Sequence, residues 1–541
     1  MPPESKPRRI WAIVYFILLA AIFLLAAVKR FAGLPLVPFA DKDLGGYLSP
    51  ALSALAGRGF VLSNGRGFAY PVFVFWILRL AGGDFRAIAI VQHLLGLATG
   101  GLLLFSWNRA RCFVARPAVP LPVHEALGLL LASTYLLFNW PILYEHRIRP
   151  EAVFPFFIAL NIAFNIEFIR RRFLLPAKAA PFFLGTAIVF SAVLLYMLKP
   201  AWGFSLFFSS LPVWVAVALG KEPWWRRLLL VATPLFLAVA LLLLPEKILE
   251  RTDSMSEVFL PRLLFAMHGN LIRDQMLDDL ASRAPVPYDT AWLASVAASL
   301  STEIEKSKPG RRTLGFDPDY LIYQKGSTCD QIAAHFSGHP HEQASFLMYY
   351  YLRAAEKRPF AMAGKVLAQM GVFYSFNSSM YRSGPLDVAA EYRHSVVVLN
   401  GSSVSSSPLV APWRARCAEW GARATLLRNG HFTKFILRLL RVLHVPLLAA
   451  AIILPAIVLS SGKLRGPLLG LALLDLLLYS YSFGNNLTVA IVHTLEVNRY
   501  VQNEFAFVLF LHFVTILLLV EICLRIREKR ADRVTVSSGD R

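Results

Sequence analysis

The chain has 541 residues, 56% of them hydrophobic and 16% charged, where soluble domains carry about 25% charged residues. A mean hydropathy of +0.53 excludes intrinsic disorder, which needs low hydrophobicity, and argues against an ordinary soluble enzyme. The net charge of +21 would point to nucleic acid on a soluble protein. Beside long apolar segments it points instead to basic cytoplasmic loops, and no nucleic-acid partner is expected.

A helix that crosses a bilayer needs about 20 mostly apolar residues. Ten stretches read as spans, at roughly 10–28, 87–106, 126–140, 153–168, 181–198, 203–219, 228–244, 445–460, 466–482 and 505–524. The apolar segment 68–80 is short and carries Arg79, which suits an interfacial or re-entrant helix. The expected fold is an all-α polytopic membrane protein of about ten transmembrane helices with a mostly helical extracytoplasmic insert.

Charge orients the spans. With the N-terminus inside, every inner loop is short and basic. They hold Lys6, Arg8 and Arg9, then Arg109, Arg111 and Arg116, then Arg170, Arg171, Arg172 and Lys178. Lys221, Arg226 and Arg227 follow, then Lys463 and Arg465, then a tail with Arg525, Arg527, Lys529, Arg530 and Arg533. That is the regime in which the positive-inside rule holds best. The reading is a multi-pass protein of the cell membrane with both termini cytoplasmic, its first span an uncleaved signal anchor.

The chain then divides into an N-terminal membrane module, 1–244, with its first outer loop at 29–86. An extracytoplasmic insert follows at 245–444, a C-terminal membrane module at 445–524 and a basic tail at 525–541. Four cysteines are too few for a disulfide scaffold. Cys112 and Cys523 fall on the inner side. Cys329 and Cys417 share the insert, where they either pair or remain free thiols.

Chemistry-bearing residues gather on the outer side. Asp41 and Asp43 form an Asp-x-Asp pair, which could share a cation or poise one carboxylate as a base, or be a solvated turn. Glu151 opens the fourth span two residues after Arg149, where the helix dipole favours an acid in any case. Glu145 and His146 lie close by. Lys199 ends the fifth span at the outer interface, against the charge trend. His493, Glu496 and Arg499 precede the last span at helical spacing, with Tyr500 next to them. Arg suits bidentate contacts to phosphate. Lys434, Arg438 and Arg441 form a basic stripe that could rest on anionic lipid head groups. His335, His339 and His341 are a His-rich run without accompanying Cys. Asn377-Ser378-Ser379 and Asn400-Gly401-Ser402 match the glycosylation acceptor pattern.

The order is an acid, an aromatic four residues later (Asp43 to Tyr47), an amphipathic helix, a Gly break at Gly57 and Gly59, and a Tyr70-Pro71 aromatic segment. It resembles the first outer loop of the C-type superfamily of membrane glycosyltransferases, which includes protein O-mannosyltransferases and lipid A aminoarabinose transferases. Arg149 with Glu151, Lys199-Pro200 and the Glu496-x-x-Arg499-Tyr500 run match further positions. The family usually has Asp-Glu where this chain has Asp43-Leu44.

The resemblance implies transfer of a sugar from a polyprenyl-phosphate donor to a glycan, lipid or protein acceptor on the outer face, among membrane lipids. Asp43, with Asp41 or Glu151, would be the base. Lys199, Arg499 and Arg149 would hold the donor phosphate. No cofactor is required, though a divalent cation at Asp41 and Asp43 is compatible. Two rivals stand beside this reading. One is an O-antigen polymerase or ligase, which leans on outer Arg and His residues. The other is a lipid-linked-glycan transporter or flippase, which should bury charges such as Asp475 and Glu167 within its spans. A non-enzymatic scaffold would leave the acids solvent-facing.

Overall fold

The computed structural model describes residues 6–63, 65–175, 182–221, 223–253, 255–308, 310–376, 379–423 and 426–539. Lys178, Asn377 and Ser378 lie outside them. The chain is an all-α polytopic membrane protein with almost no strand.

The N-terminal half runs α1 (Lys6–Phe31), α2 (Leu44–Leu55), α3 (Ala69–Leu80), α4 (Arg86–Ala110), α5 (Leu121–Leu137), α6 (Asn139–Glu145), α7 (Phe154–Ile169), α8 (Phe182–Leu198), α9 (Gly203–Leu219), α10 (Trp224–Ala238) and α11 (Leu244–Glu250). The insert holds α12 (Met255–Met267), α13 (Gly269–Ser282), α14 (Thr290–Lys306), α15 (Pro318–Tyr323), α16 (Thr328–His335), α17 (Pro340–Lys357), α18 (Pro359–Phe373), α19 (Val388–Gly401) and α20 (Val410–Gly421). The rest is α21 (His431–Ser460), α22 (Gly462–Val492), α23 (Asn498–Gln502) and α24 (Phe505–Gly539). A two-stranded antiparallel ribbon pairs β1 (Leu386–Asp387) with β2 (Leu426–Leu427).

Among the described residues, seven helices are long and apolar enough to cross a membrane, or eight when the bent pair α5–α6 is one span. The segment read as interfacial, α3, is a short apolar helix, and so is α8. The stretch expected as a span at 153–168 is α7, a helix of 16 residues. An apolar surface all round the helix is what a lipid-exposed or deeply buried element needs. Of the seven, α1 is the least covered by protein and α24 the most. Thus Ile10, Phe16, Ile17 and Leu24 of α1 are exposed, whereas Phe507, Leu509, Phe510 and Val514 of α24 are fully buried. Around α24 pack α21, α22, α5, α7 and α4.

The basic stripe Lys434–Arg441 and the span 445–460 are one continuous helix, α21, of 30 residues. Pro446 lies inside α21 without ending it, as membrane helices tolerate. At 1.5 Å per residue α21 is about 45 Å long, more than the roughly 30 Å hydrocarbon core. Its first turns, with Arg438 and Arg441 exposed, therefore project beyond the apolar slab.

The insert divides its buried residues between two cores. Residues 258–354, including Phe265, Ile272, Leu300, Phe346 and Tyr350, pack on one another. Residues from Met370 onward, including Phe373, Tyr381, Tyr392 and Trp413, join the membrane core. Cys329 lies in the first and Cys417 in the second, and both are buried free thiols. The His-rich run also disperses. His335 stacks on Trp292 at 4.0 Å, His341 meets Glu257 at 2.7 Å, and His339 approaches Glu342 at 3.6 Å, so no shared metal site forms from them.

Candidate active site

The site begins with a backbone bridge. After α1 the chain turns back, and the Phe39 N–H donates to His146 O at 2.7 Å while the Ile148 N–H donates to Phe39 O at 3.2 Å. This parallel bridge lays residues 39–43 beside 146–151, and so sets two aspartates against Arg147, Arg149 and Glu151. Arg149 then donates from Nη1 to Asp41 (2.8 Å), from Nη2 to Asp43 (3.2 Å) and from Nε to Glu151 (2.9 Å). Arg147 bridges Asp41 (3.4 Å) and Glu391 (2.8 Å).

Asp43 caps α2 without a side-chain bond to that helix, which leaves both oxygens for cations. Its Oδ2 accepts from Arg499 Nη1 at 2.9 Å and its Oδ1 from Arg66 Nη2 at 2.9 Å. Arg66 crosses the start of α2 because residue 46 is glycine. A Cβ there would stand 2.4 Å from Arg66 Cγ. The Arg66 guanidinium also lies over the rings of Tyr47 (5.4 Å) and Phe259 (5.1 Å), a cation–π arrangement.

The C-terminal module supplies the opposite wall. After α22 ends at Val492, His493 takes an extended conformation and the helix does not resume until α23. His493, Glu496 and Arg499 are therefore not on one helical face, contrary to their spacing. Glu496 turns to the insert, accepting from the N–H groups of Arg312 (3.0 Å) and Thr313 (2.7 Å). Arg499 points back to Asp43. The Tyr500 ring lies 5.1 Å from the Arg499 guanidinium, 5.0 Å from Lys199 Nζ and 4.7 Å from the His493 ring, so Tyr500 packs among these side chains.

Lys199 follows α8 in an extended conformation that turns its side chain inward before Pro200–Trp202. It is buried, and among the described residues its Nζ has no hydrogen-bond partner. An ammonium in that position is costly unless an anion joins it.

These side chains line one cavity of about 310 Å³. Arg66, Arg149, Lys199 and Arg499 contribute four cations to its wall, and Asp43 and Glu151 two carboxylates. Leu198, Pro200, Leu263, Val489 and Val492 supply apolar lining, and Tyr196 and Leu260 are outwardly exposed at its edge. Asp41 stands behind Arg149, outside the lining, which separates the roles of the two aspartates.

Electrostatics follow from this crowding. Burial pushes the Asp43 carboxyl up, but the guanidiniums of Arg66, Arg499 and Arg149 outweigh it and hold Asp43 below its ordinary value. Burial likewise opposes ionisation of Glu151, yet Arg149, Lys199 and Arg499 keep it well below the usual carboxylate range. Burial lowers Lys199 to about 8, with Glu151 pulling the other way. His493 is pushed down to about 3 by burial, then by Arg499, so it is neutral.

A divalent ion at the acid pair would have to displace guanidinium contacts. Both Asp43 oxygens and Asp41 Oδ2 already accept from guanidiniums, and the surrounding field is positive.

Of the residues read from sequence, Asp43, Arg149, Glu151, Lys199, His493, Arg499 and Tyr500 meet at the cavity. Lys434, Arg438 and Arg441 do not line it. Glu145 and His146 belong to a separate buried network. Arg30 grips Glu145 with two bonds of 2.7 Å, and His93 links Glu145 (2.9 Å) to His146 (3.1 Å). Sequence reasoning missed Arg66, although it carries the same signal as Arg499, a cation in a loop read as outer, against the charge trend. Glu504 was missed as well. It is fully buried and accepts from Ser482 (2.7 Å), Asn485 (2.6 Å) and Asn486 (3.2 Å). Comparison with protein-family models, with curated proteins and with solved structures gives no match to this chain.

Proposed function

We propose that the chain is an integral-membrane glycosyltransferase that moves a sugar from a polyprenyl-phosphate donor to a cell-envelope acceptor on the outer face. In this reading α7 and α8 also cross the bilayer, ten spans in all, with both termini in the cytoplasm. The cavity then opens on the extracytoplasmic side of the cell membrane.

One observation carries the proposal. A buried Lys199, Arg149 and Arg499 from opposite ends of the sequence converge with Asp43 on one cavity with apolar lining. That is the composition a phosphate on an isoprenoid tail would require.

In the reaction, the acceptor oxygen attacks the anomeric carbon and its proton passes to Asp43. The bond from that carbon to the phosphate oxygen breaks with inversion. Its electron pair leaves on the phosphate, where Lys199, Arg499 and Arg149 stabilise the charge. Glu151 fixes Arg149 for that contact. No metal step is needed.

The test uses the full chain in nanodiscs with a radiolabelled polyprenyl-phosphate sugar. Asp43→Asn should lower transfer or donor hydrolysis at least about 100-fold, the scale of general-base loss, with donor binding retained. Wild-type turnover in that variant would refute the proposal. The polymerase-like rival keeps one supporting observation, since Arg66, Arg149, Arg499 and His493 share the cavity. Sensitivity to Arg499 and His493 substitutions but not to Asp43→Asn would favour it. The transporter reading is weakened at Glu167, which Arg170 (2.6 Å) and Arg171 (2.5 Å) hold locally; Asp475 accepts from Thr515 at 2.8 Å, while its Oδ2 has no hydrogen-bond partner among the described residues.

A further inference from the structure

A second cavity, of about 280 Å³, lies against the first. The two share Asp43, Arg66, Phe259, Leu263 and Tyr323 as lining, so the Asp43–Arg66 pair stands in the partition. The chambers differ in character. The first carries apolar side chains at its edge, among them Tyr196 and Leu260. The second has Lys42 exposed at its edge and Arg262 in its wall, a charged opening that suits a water-borne group.

Its charge is one-sided. Lys42, Arg66 and Arg262 line it against the single carboxylate of Asp43. Among the described residues, Lys42 makes no ion pair. Arg262 donates from Nη2 to Asp330 (3.0 Å) and to Ile322 O (2.5 Å), while its Nε is buried without a partner. Asp330 lies outside the lining. Lys42 and the Arg262 Nε are therefore the donors of this chamber without a partner among the described residues.

We propose that the second chamber is the acceptor subsite, and that the acceptor carries an anionic group, phosphate or carboxylate, close to its reacting hydroxyl. This rests on the transferase reading. Inversion requires the attacking oxygen to approach from the side opposite the leaving phosphate. The phosphate-binding Lys199 lines only the first chamber, and Asp43 lines both. An acceptor hydroxyl in the second chamber loses its proton to Asp43 as its oxygen bonds to the anomeric carbon. Lys42 and Arg262 hold the anionic group through charge-assisted contacts.

The test measures binding to the full chain in nanodiscs by calorimetry. The probes are glycerol 3-phosphate and glucuronate, with glycerol and glucose as neutral controls and a polyprenyl-phosphate sugar as donor. Wild type should prefer the anions over the neutral probes, and the stronger of the two identifies phosphate or carboxylate as the recognised group. Lys42 is exposed and unpaired, so Lys42→Glu should fold normally. It should weaken the anions about tenfold, the worth of one hydrogen bond to a charged group. Lys199→Met should keep anion binding and lose the donor. Anion binding that depends on Lys199 and not on Lys42 would overturn the proposal, as would equal affinity for neutral and anionic probes. Anion binding through Lys42 with no donor binding in wild type would sink the donor reading and still support the anion site.

Discussion

Lys199 gives the most quantitative test of the site. Its ammonium is buried, has no hydrogen-bond partner among the described residues, and has its pKa lowered by burial to about 8. A group with a lowered pKa is charged below that value and loses its charge above it. Lys199 is thus about nine-tenths protonated at pH 7 and about one-tenth at pH 9. A phosphodiester-linked donor does not titrate in this range. If Lys199 must be charged to hold it, affinity should fall about tenfold between pH 7 and pH 9, or about 1.4 kcal/mol. Bound phosphate restores the proton to Lys199, so binding at pH 9 should take up close to one proton per donor. Calorimetry with a non-hydrolysable donor analogue, in buffers of different ionisation heat, reads both quantities. Lys199→Arg keeps its charge throughout and should flatten the profile. Lys199→Met should be flat and weak. A wild-type affinity that is constant from pH 7 to pH 9, with no proton uptake, would refute the reasoning.

Other consequences follow from the same geometry. Asp41→Asn should leave the chemical step nearly intact and raise donor KM a few-fold, because Asp41 supports Arg149 without lining the cavity; steady-state kinetics beside Asp43→Asn checks this. Glu145→Gln leaves Arg30 buried without its carboxylate and should cost about 3–5 kcal/mol, visible as a lower midpoint of thermal unfolding in detergent. Gly96→Ala should behave similarly, since a Cβ there would stand 2.1 Å from Glu145 Oε1. Cys329 and Cys417 should both alkylate after denaturation without a reductant, and an intact mass lighter by two hydrogen atoms, with no labelling of the pair, would contradict the free thiols.

Much of the fold was legible because lipid imposes a one-dimensional rule. Long apolar runs such as α1 and α24 have few alternatives. The shorter α7 and α8 escaped a firm length test because protein, rather than lipid, covers much of them. Phe168, Ile188 and Val189 pack together in their own cluster. Periodicity misled at one break, where it joined His493, Glu496 and Arg499 across an extended residue. Lys199 and Arg499, singled out as cations against the expected charge trend, both line the cavity, and Arg66 is a third cation of that kind. The Phe39 bridge to Arg147 could not be read from the sequence, because a single backbone pairing over that distance leaves no pattern. Yet this bridge decides which aspartate faces the cavity.

The resting cluster also explains how a poor base could serve. Three guanidiniums hold Asp43 below its ordinary pKa, which makes the carboxylate reluctant to take a proton. A donor phosphate among Lys199, Arg149 and Arg499 brings a negative charge into that field. At an effective dielectric of 20 and a separation of about 5 Å, one such charge is worth about 3 kcal/mol, or about two pKa units upward for Asp43. Asp43 would then gain basicity only when the donor is seated, and the empty site would have little power to activate a stray nucleophile. The signature is kinetic. The acid limb of kcat, which reports the bound enzyme, should lie about two pH units above the acid limb of kcat/KM, which reports the free enzyme. Coincident limbs would mean that the phosphate does not share the field that Asp43 feels, and the cavity would then have to be read without a donor phosphate beside its carboxylate.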